Sequence, residues 1–274
     1  MTHPVLRVAL VQVASDRDPV RNRERLAELV PEGADLVVLP EAFARDFGPV
    51  DDDLAPAGEQ QGGPFDTELS RVAAARGTTV VAGAFERSDD PTRPFNTLLV
   101  RGGAVAAYRK IHLYDSFGYR ESDRLTAGPT TPVTVEVGGL VVGLMTCYDL
   151  RFPEHARALV DLGAQLLVVP AAWVAGERKV DHWRTLVRAR AIENTVFVAA
   201  CAQPAPRYSG HSMVVDPLGD VLAEAGPGSA DEVEVVAREV HQPVMDRAAT
   251  EAPRHLALAL DQHGGNAELA SADG

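Results

Sequence analysis

Cysteine and lysine are both scarce in this 274-residue chain: Cys147 and Cys201 are its two cysteines, Lys110 and Lys179 its two lysines, and arginine supplies the rest of its 26 basic residues. Two cysteines cannot build a disulfide framework or a four-thiolate zinc site, so each is either a reactive thiol or a small buried hydrophobe. The histidines His112, His155, His182 and His211 form no close ligand pair, and no metal is expected. No apolar run approaches the ~18 residues that span a bilayer. No basic leader with a cleavage site opens the chain. A formal net charge of −13 disfavours binding to a phosphate backbone. Glycine-rich stretches at 62–64 and 226–230 read as turns rather than phosphate cradles. The expectation is a cytoplasmic protein that binds neither membrane nor nucleic acid and needs no cofactor.

What is present is an internal repeat. Residues 33–43 (GADLVVLPEAF) and 163–173 (GAQLLVVPAAW) agree at six of eleven positions. Around them, 6–13 aligns with 140–147, 78–86 with 194–202, and 96–108 with 211–225. Short continuous apolar runs alternate with segments of 3.6-residue period, the pattern of strands buried on both faces and separated by helices. Each half reads β-α-β-α-β-β, ending in a hairpin that turns at Gly102-Gly103 or at Pro217-Leu218-Gly219. Two such half-domains bury their open sheet faces against each other, which predicts an α/β fold, a four-layer αββα sandwich. A single domain over 1–261 is expected, with a short helix after the strand at 231–240 and a disordered tail at 262–274. Polar loops at about 44–63, 114–132 and 203–210 follow strands at the end where α/β proteins place their chemistry.

Three reactive side chains close apolar strands: Glu41 after LVVLP, Lys110 after VAAYR, and Cys147 after VVGLMT. Where arginine serves almost everywhere, a retained lysine does something a guanidinium cannot, such as present a compact charge on a flexible stem. Cys147 lies in a strand, sharp turn and helix, an outline that exposes a nucleophile and aims the next backbone N–H, that of Tyr148, at a developing oxyanion. A thiol needs a base or a positive neighbour to attack a carbonyl. Glu41 could be that base, and its repeat partner is Ala171, so the fold does not demand an acid there. A histidine base is not excluded by spacing. Taken alone, Lys110 and Glu121 would more often be solvated surface residues, and Cys201, with no polar turn after it, reads as core.

In combination, LPEAF, YRKIHLYD, RESDRLTAGP and MTCYDLRFPE resemble the nitrilase superfamily of carbon–nitrogen hydrolases, over about residues 5–240. The resemblance implies Glu41 as general base, Lys110 as transition-state stabiliser, Cys147 as nucleophile and Glu121 as a second glutamate. It also implies the αββα sandwich and a homodimer or larger homo-oligomer. Within the superfamily, YRKIHLYDSFGYRES, GLMTCYDLRFPE and PAAWVAGERKVDHWRTLVRARAIENT are most similar to amidases acting on deaminated glutathione and, more distantly, to ω-amidases. The expected activity is hydrolysis of a small carboxylate-bearing amide through a thioester. Tyr148, Arg151 and Trp173 are substrate-binding candidates, although Arg151 could instead pair with Glu154, and Trp173 could fill core. A nitrilase, an N-carbamoyl amidohydrolase and a non-catalytic small-acid sensor are the alternatives, the last disfavoured because all four family positions are occupied.

Overall fold

Alternation along the first strand shows how the layers arise. In the computed structural model, which describes residues 5–116, 118–228 and 234–241, β1 (Val5–Gln12) sends Leu6, Val8 and Leu10 into one apolar cluster and Ala9 and Val11 into another. Successive strand residues point to opposite faces, so a strand apolar on both is covered on both. The first half continues with α1 (Pro19–Leu29), β2 (Leu36–Val38), α2 (Pro64–Arg76), β3 (Thr79–Glu86), β4 (Phe95–Arg101) and β5 (Ala106–Arg109). A small ribbon of β6 (Asp115–Ser116) and β7 (Tyr119–Arg120) follows. The second half comprises β8 (Thr134–Val137), β9 (Leu140–Leu144), α3 (Pro153–Asp161), β10 (Leu166–Ala171), α4 (Lys179–Asn194), β11 (Phe197–Ala202), β12 (Met213–Val215) and β13 (Val221–Glu224), and β14 (Glu234–His241) closes the described chain.

The sheets run β14-β1-β2-β3-β4-β5 and β13-β12-β11-β10-β9-β8, so each half supplies the same order of parallel and hairpin strands. Between them lies a continuous apolar layer in which Leu6, Val8, Leu36, Val38, Val81 and Tyr108 meet Leu140, Val142, Leu166, Val168, Phe197 and Cys201. On the outer face of the first sheet, Leu26 of α1 and Leu69 and Val72 of α2 cover Val37, Val80 and Ala82. Leu159 of α3 and Trp183 and Val187 of α4 cover Leu167, Val169 and Val198 on the second. The result is the expected αββα sandwich. Proline opens α1, α2 and α3, where its missing N–H costs nothing. Gly77, at φ 61°, ends α2 in the left-handed conformation that glycine adopts without penalty.

Two details differ from the sequence reading. Each sheet has six strands, because the unexpected β8 adds antiparallel to β9 while the strand expected at 231–240, β14, pairs antiparallel with β1. In β8 only Val137 is fully buried, so this polar edge strand carried little hydrophobic signal. The repeat alignment also needs a shift in its third strand. Val8 pairs with Leu36 as Val142 pairs with Leu166, but Leu36 then pairs with Thr79 where Leu166 pairs with Phe197. Thr79 therefore corresponds to Phe197, two residues away from the alignment of 78–86 with 194–202. A two-residue slip keeps every side chain on its face, and apolar pattern alone does not detect it. The helix expected after residue 241 and the tail at 262–274 lie outside the described residues.

Candidate active site

Glu41, Lys110 and Cys147 each sit just past a strand. After β2 ends, the chain runs on beside β3, with Leu39 N–H donating to Val81 O, Gly83 N–H to Pro40 O and Ala44 N–H to Gly83 O. Glycine is required at 83: a Cβ there would lie 2.3 Å from Ala42 N and 2.8 Å from Glu41 Cα. Ala42 takes φ 54°, a conformation disfavoured for residues with a Cβ, and the turn carries Glu41 into the interior at 1% exposure. Lys110 follows β5 directly. Its N–H donates to Asn96 O and its carbonyl accepts from Gly128 N–H, both at 2.8 Å. Cys147 opens a 3₁₀ turn, Cys147–Arg151, at φ 47°, a second left-handed position in a residue with a side chain. Such conformations cost about 1–3 kcal/mol each and persist where the surroundings impose them, commonly at functional sites.

These turns bring the three groups together with Glu121. Lys110 Nζ donates to Glu41 Oε1 at 2.9 Å and to both oxygens of Glu121 at 3.0 and 2.9 Å. Glu41 Oε1 also accepts from Asn96 Nδ2 at 2.8 Å, and its Oε2 accepts from Ala172 N–H at 2.7 Å. Glu121 Oε2 accepts from Tyr114 N–H at 2.7 Å. The charge of Glu41 acts on the Cys147 thiol and helps to raise it.

Electrostatics fix the resting charges. Burial alone would lower the Lys110 value, but the Glu121 and Glu41 carboxylates override it and hold the ammonium well above the ordinary lysine range. Burial raises Glu121, against the pull of Lys110. Burial and the negative charge of Glu41 push the Cys147 thiol well above its ordinary value, with Lys110 opposing. The site therefore rests with a charged lysine and a protonated thiol. Such a thiol gains its nucleophilicity as its proton leaves, and Glu41, whose charge acts on it, is the candidate acceptor. His112 and His155 lie instead against Asp149 and Tyr108, so the histidine-base alternative has no support in this geometry. Cys201 is the core residue expected: its Sγ donates to Val11 O at 3.4 Å, and burial raises its thiol to about 12.

In the same buried cluster as Cys147, Trp173 is 4% exposed, tilts against Trp183 and donates its indole N–H to Lys179 O at 2.9 Å, so it packs as core. Arg151 lies with its guanidinium 5.0 Å from the Trp173 ring centroid and 6.0 Å from that of Tyr148, rather than paired with Glu154. Tyr148 stands edge-on to Tyr114 and shares a hydrogen bond with Ser116. Lys179 Nζ reaches Tyr114 OH at 3.4 Å. Two of the loops expected near the site contact it directly, through Glu121 on Lys110 and Gln203 on Glu41. Tyr208 OH donates to Asp46 Oδ2 at 2.7 Å, and Arg124 donates to the carbonyls of Phe47 and Asp52, so segments from all three loops are tied together. Sequence reasoning passed over Asn96, Asp149 and Gln203, whose Nε2 donates to Glu41 O at 3.0 Å. For Asn96 and Gln203 the available signal was a polar residue inside or directly after an apolar strand, whereas Asp149 lies in the turn after Cys147.

Among the described residues no group of three or more His, Cys, Asp or Glu could hold a metal ion, and no helix is long and apolar enough to cross a membrane. Residues 7–248 match the carbon-nitrogen hydrolase family. A deaminated glutathione amidase of Escherichia coli O157:H7 is 42% identical over 212 residues, covering 75% of this chain and 80% of that protein. The human deaminated glutathione amidase is 38% identical over 249 residues, covering 81% and 74%. Among solved structures, a CN-hydrolase superfamily protein from Xanthomonas campestris with an arsenic adduct in its active site superposes with a TM-score of 0.80 at 30% identity, covering 97% of this chain and 99% of that one.

Proposed function

This chain belongs to the carbon-nitrogen hydrolase family, an enzyme family acting on carbon–nitrogen bonds other than peptide bonds, and from that premise we propose that it hydrolyses the amide of a small carboxylate-bearing acid at Cys147. In the first step Glu41 accepts the thiol proton as sulfur attacks the amide carbon. The negative charge that develops on the carbonyl oxygen is met by the Lys110 ammonium and the Tyr148 N–H. Glu41 returns the proton to the leaving nitrogen, ammonia departs and a thioester remains. Water, deprotonated by Glu41, then cleaves the thioester, which frees the acid and restores the thiol. Glu121, bonded through both oxygens to Lys110 Nζ, holds the ammonium in place.

The carrying observation is the buried Lys110 ammonium bonded to Glu41 and Glu121, beside a Cys147 thiol whose titration all three groups influence. Arg151, over Trp173 and beside Tyr148, is the cation we assign to the substrate carboxylate. A Lys/Arg-to-carboxylate bond would orient the substrate without entering the chemistry. Identity of 38–42% to deaminated glutathione amidases supports that substrate class. The reading extends to a cytoplasmic homodimer or larger homo-oligomer, which light scattering on the purified protein tests.

The decisive assay is ammonia release from deaminated glutathione, α-ketoglutaramate, α-ketosuccinamate and N-carbamoyl-β-alanine, with intact-mass detection of an acyl adduct on Cys147. Turnover of the first three through such an adduct supports the proposal. Turnover of the carbamoyl compound alone, with carbon dioxide, or of a matching nitrile alone when one is added to the panel, overturns the substrate assignment. Absence of any adduct overturns the thioester.

A further inference from the structure

Lys110 and Cys147 belong to different sheets, since one follows β5 and the other follows β9. Between those sheets the contact is an apolar layer. Apolar contact is non-directional and does not by itself fix the distance between an ammonium and a thiol to a few tenths of an ångström. A buried carboxylate does make directed bonds to both segments. Asp149, 0% exposed, accepts at Oδ2 from Thr146 N–H at 2.8 Å and from Tyr108 OH at 2.6 Å. Its Oδ1 accepts from His112 N–H at 3.1 Å and from His112 Nδ1–H at 2.7 Å. Thr146 immediately precedes Cys147, while Tyr108 and His112 stand two residues either side of Lys110.

Further contacts stiffen the same unit. Tyr108 OH accepts from Ile111 N–H at 3.3 Å, so the residue following Lys110 is held too. The His112 ring stacks on Phe152 with centroids 3.7 Å apart and planes 9° from parallel, which fastens the Lys110 loop to the far end of the Cys147 turn. Asp149 forms no ion pair with lysine or arginine among the described residues, so its carboxylate is committed to these four hydrogen-bond donors.

We propose that Asp149 is a positioning residue: it clamps the Lys110 loop of one sheet to the Cys147 turn of the other and so sets the spacing of ammonium and thiol. This rests on the assignment of Cys147 as nucleophile and Lys110 as its partner, and not on the identity of the substrate. Asp149→Asn keeps the shape but places an NH₂ against a donor that the carboxylate accepted. Tyr108→Phe removes one of the four bonds and leaves the carboxylate in place. A displacement near 1 Å at a reacting group can cost ~10²-fold in rate.

The test combines both variants with three readouts: kcat and KM for whichever amide the wild-type enzyme turns over, the rate of Cys147 alkylation by iodoacetamide followed by peptide mass, and thermal melting. Folded variants are expected to keep KM within about threefold while kcat falls about 10²-fold for Asp149→Asn and about tenfold for Tyr108→Phe. Alkylation should slow in parallel. Wild-type kcat and alkylation in a folded variant, or a change in KM alone, would overturn the proposal. Should Asp149→Asn not fold, Tyr108→Phe decides by itself. Should no amide be turned over, the proposed function fails, and the alkylation rates still decide the clamp.

Discussion

Replacing Lys110 with methionine keeps most of the stem's volume and removes the one cation between two buried carboxylates. The lysine side chain is 2% exposed, those of Glu41 and Glu121 1% and 3%. Removing one partner of a buried ion pair costs about 3–5 kcal/mol, because the other charge is left uncompensated. Asn96 Nδ2 and Ala172 N–H still serve Glu41, and Tyr114 N–H still serves Glu121, which favours the lower end of that range. At roughly 2–4 °C per kcal/mol for a chain of this size, a loss of about 3 kcal/mol lowers the melting temperature by ~6–12 °C at pH 7. The pH dependence has a definite sign. Without the ammonium that opposes it, burial raises Glu121 beyond the elevation it already shows. A carboxylate raised on folding binds protons in the native state, so the variant is less stable as pH rises above about 4.3 and recovers as pH falls. In the wild type, Lys110 is held above its ordinary value, so its contribution is complete below about pH 10.4 and is lost only as pH rises through the folded value. Between pH 5 and 8 the slope from this substitution therefore belongs to the variant. Paired calorimetric melts at pH 5, 6, 7 and 8 measure it. Equal melting at pH 7, or a deficit that widens toward pH 5, would refute the electrostatic account.

Other substitutions probe separate steps. Cys147→Ala should fold and bind substrate but release no ammonia and show no acyl adduct by intact mass; any retained turnover would sink the nucleophile assignment. Gly83→Ala forces a Cβ to within 2.3 Å of Ala42 N, and overpacking of this kind costs about 1–3 kcal/mol. Denaturant melts should show that loss together with reduced turnover, because the displaced backbone carries Glu41. Arg151→Met should raise KM for a carboxylate-bearing amide about tenfold or more while leaving kcat within a few-fold, as expected when a uniform binding contact is removed. An uncharged analogue amide should show no such change, and equal effects on both would assign Arg151 to structure instead.

The legible parts of the molecule were those written in local pattern. Short continuous apolar runs, alternating with stretches of 3.6-residue period and repeated in both halves, pointed to the αββα layers. Glu41, Lys110 and Cys147 stood out because a reactive residue closed an apolar run, and the repeat showed that Glu41 answers to Ala171. The unread parts depend on long-range contact. Asn96 reaches Glu41 across 55 residues, Tyr108 reaches Asp149 across 41, and Gln203 reaches Glu41 across 162. In sequence each is one polar residue in or beside a strand, and nothing local says what it will meet. Edge strand β8 was missed for the converse reason, since its outward residues are polar and only one side chain is fully buried.

The repeat also explains why one mouth of the sandwich carries all the chemistry. Val13 past β1 occupies the place that Cys147 takes past β9, and Ala171 at the end of β10 occupies the place that Glu41 takes past β2. Both substitutes are buried and apolar. The second set of turns nevertheless supports the reactive set. Ala172 N–H donates to Glu41 Oε2, and Gln203 donates through Nε2 to Glu41 O while its Oε1 accepts from Ser15 N–H. Gln12 joins β1 to the second half by accepting from both Ser212 N–H and Ser212 Oγ–H. Glu41 and Lys110 come from one half and Cys147 from the other, so under the proposed function docking of the halves is a condition of activity. That requirement accounts for directed polar bonds between layers whose contact is otherwise apolar. Hydrophobic burial holds the sheets together, and the buried Asp149, Gln12 and Gln203 bonds select the one register in which base, ammonium and thiol meet.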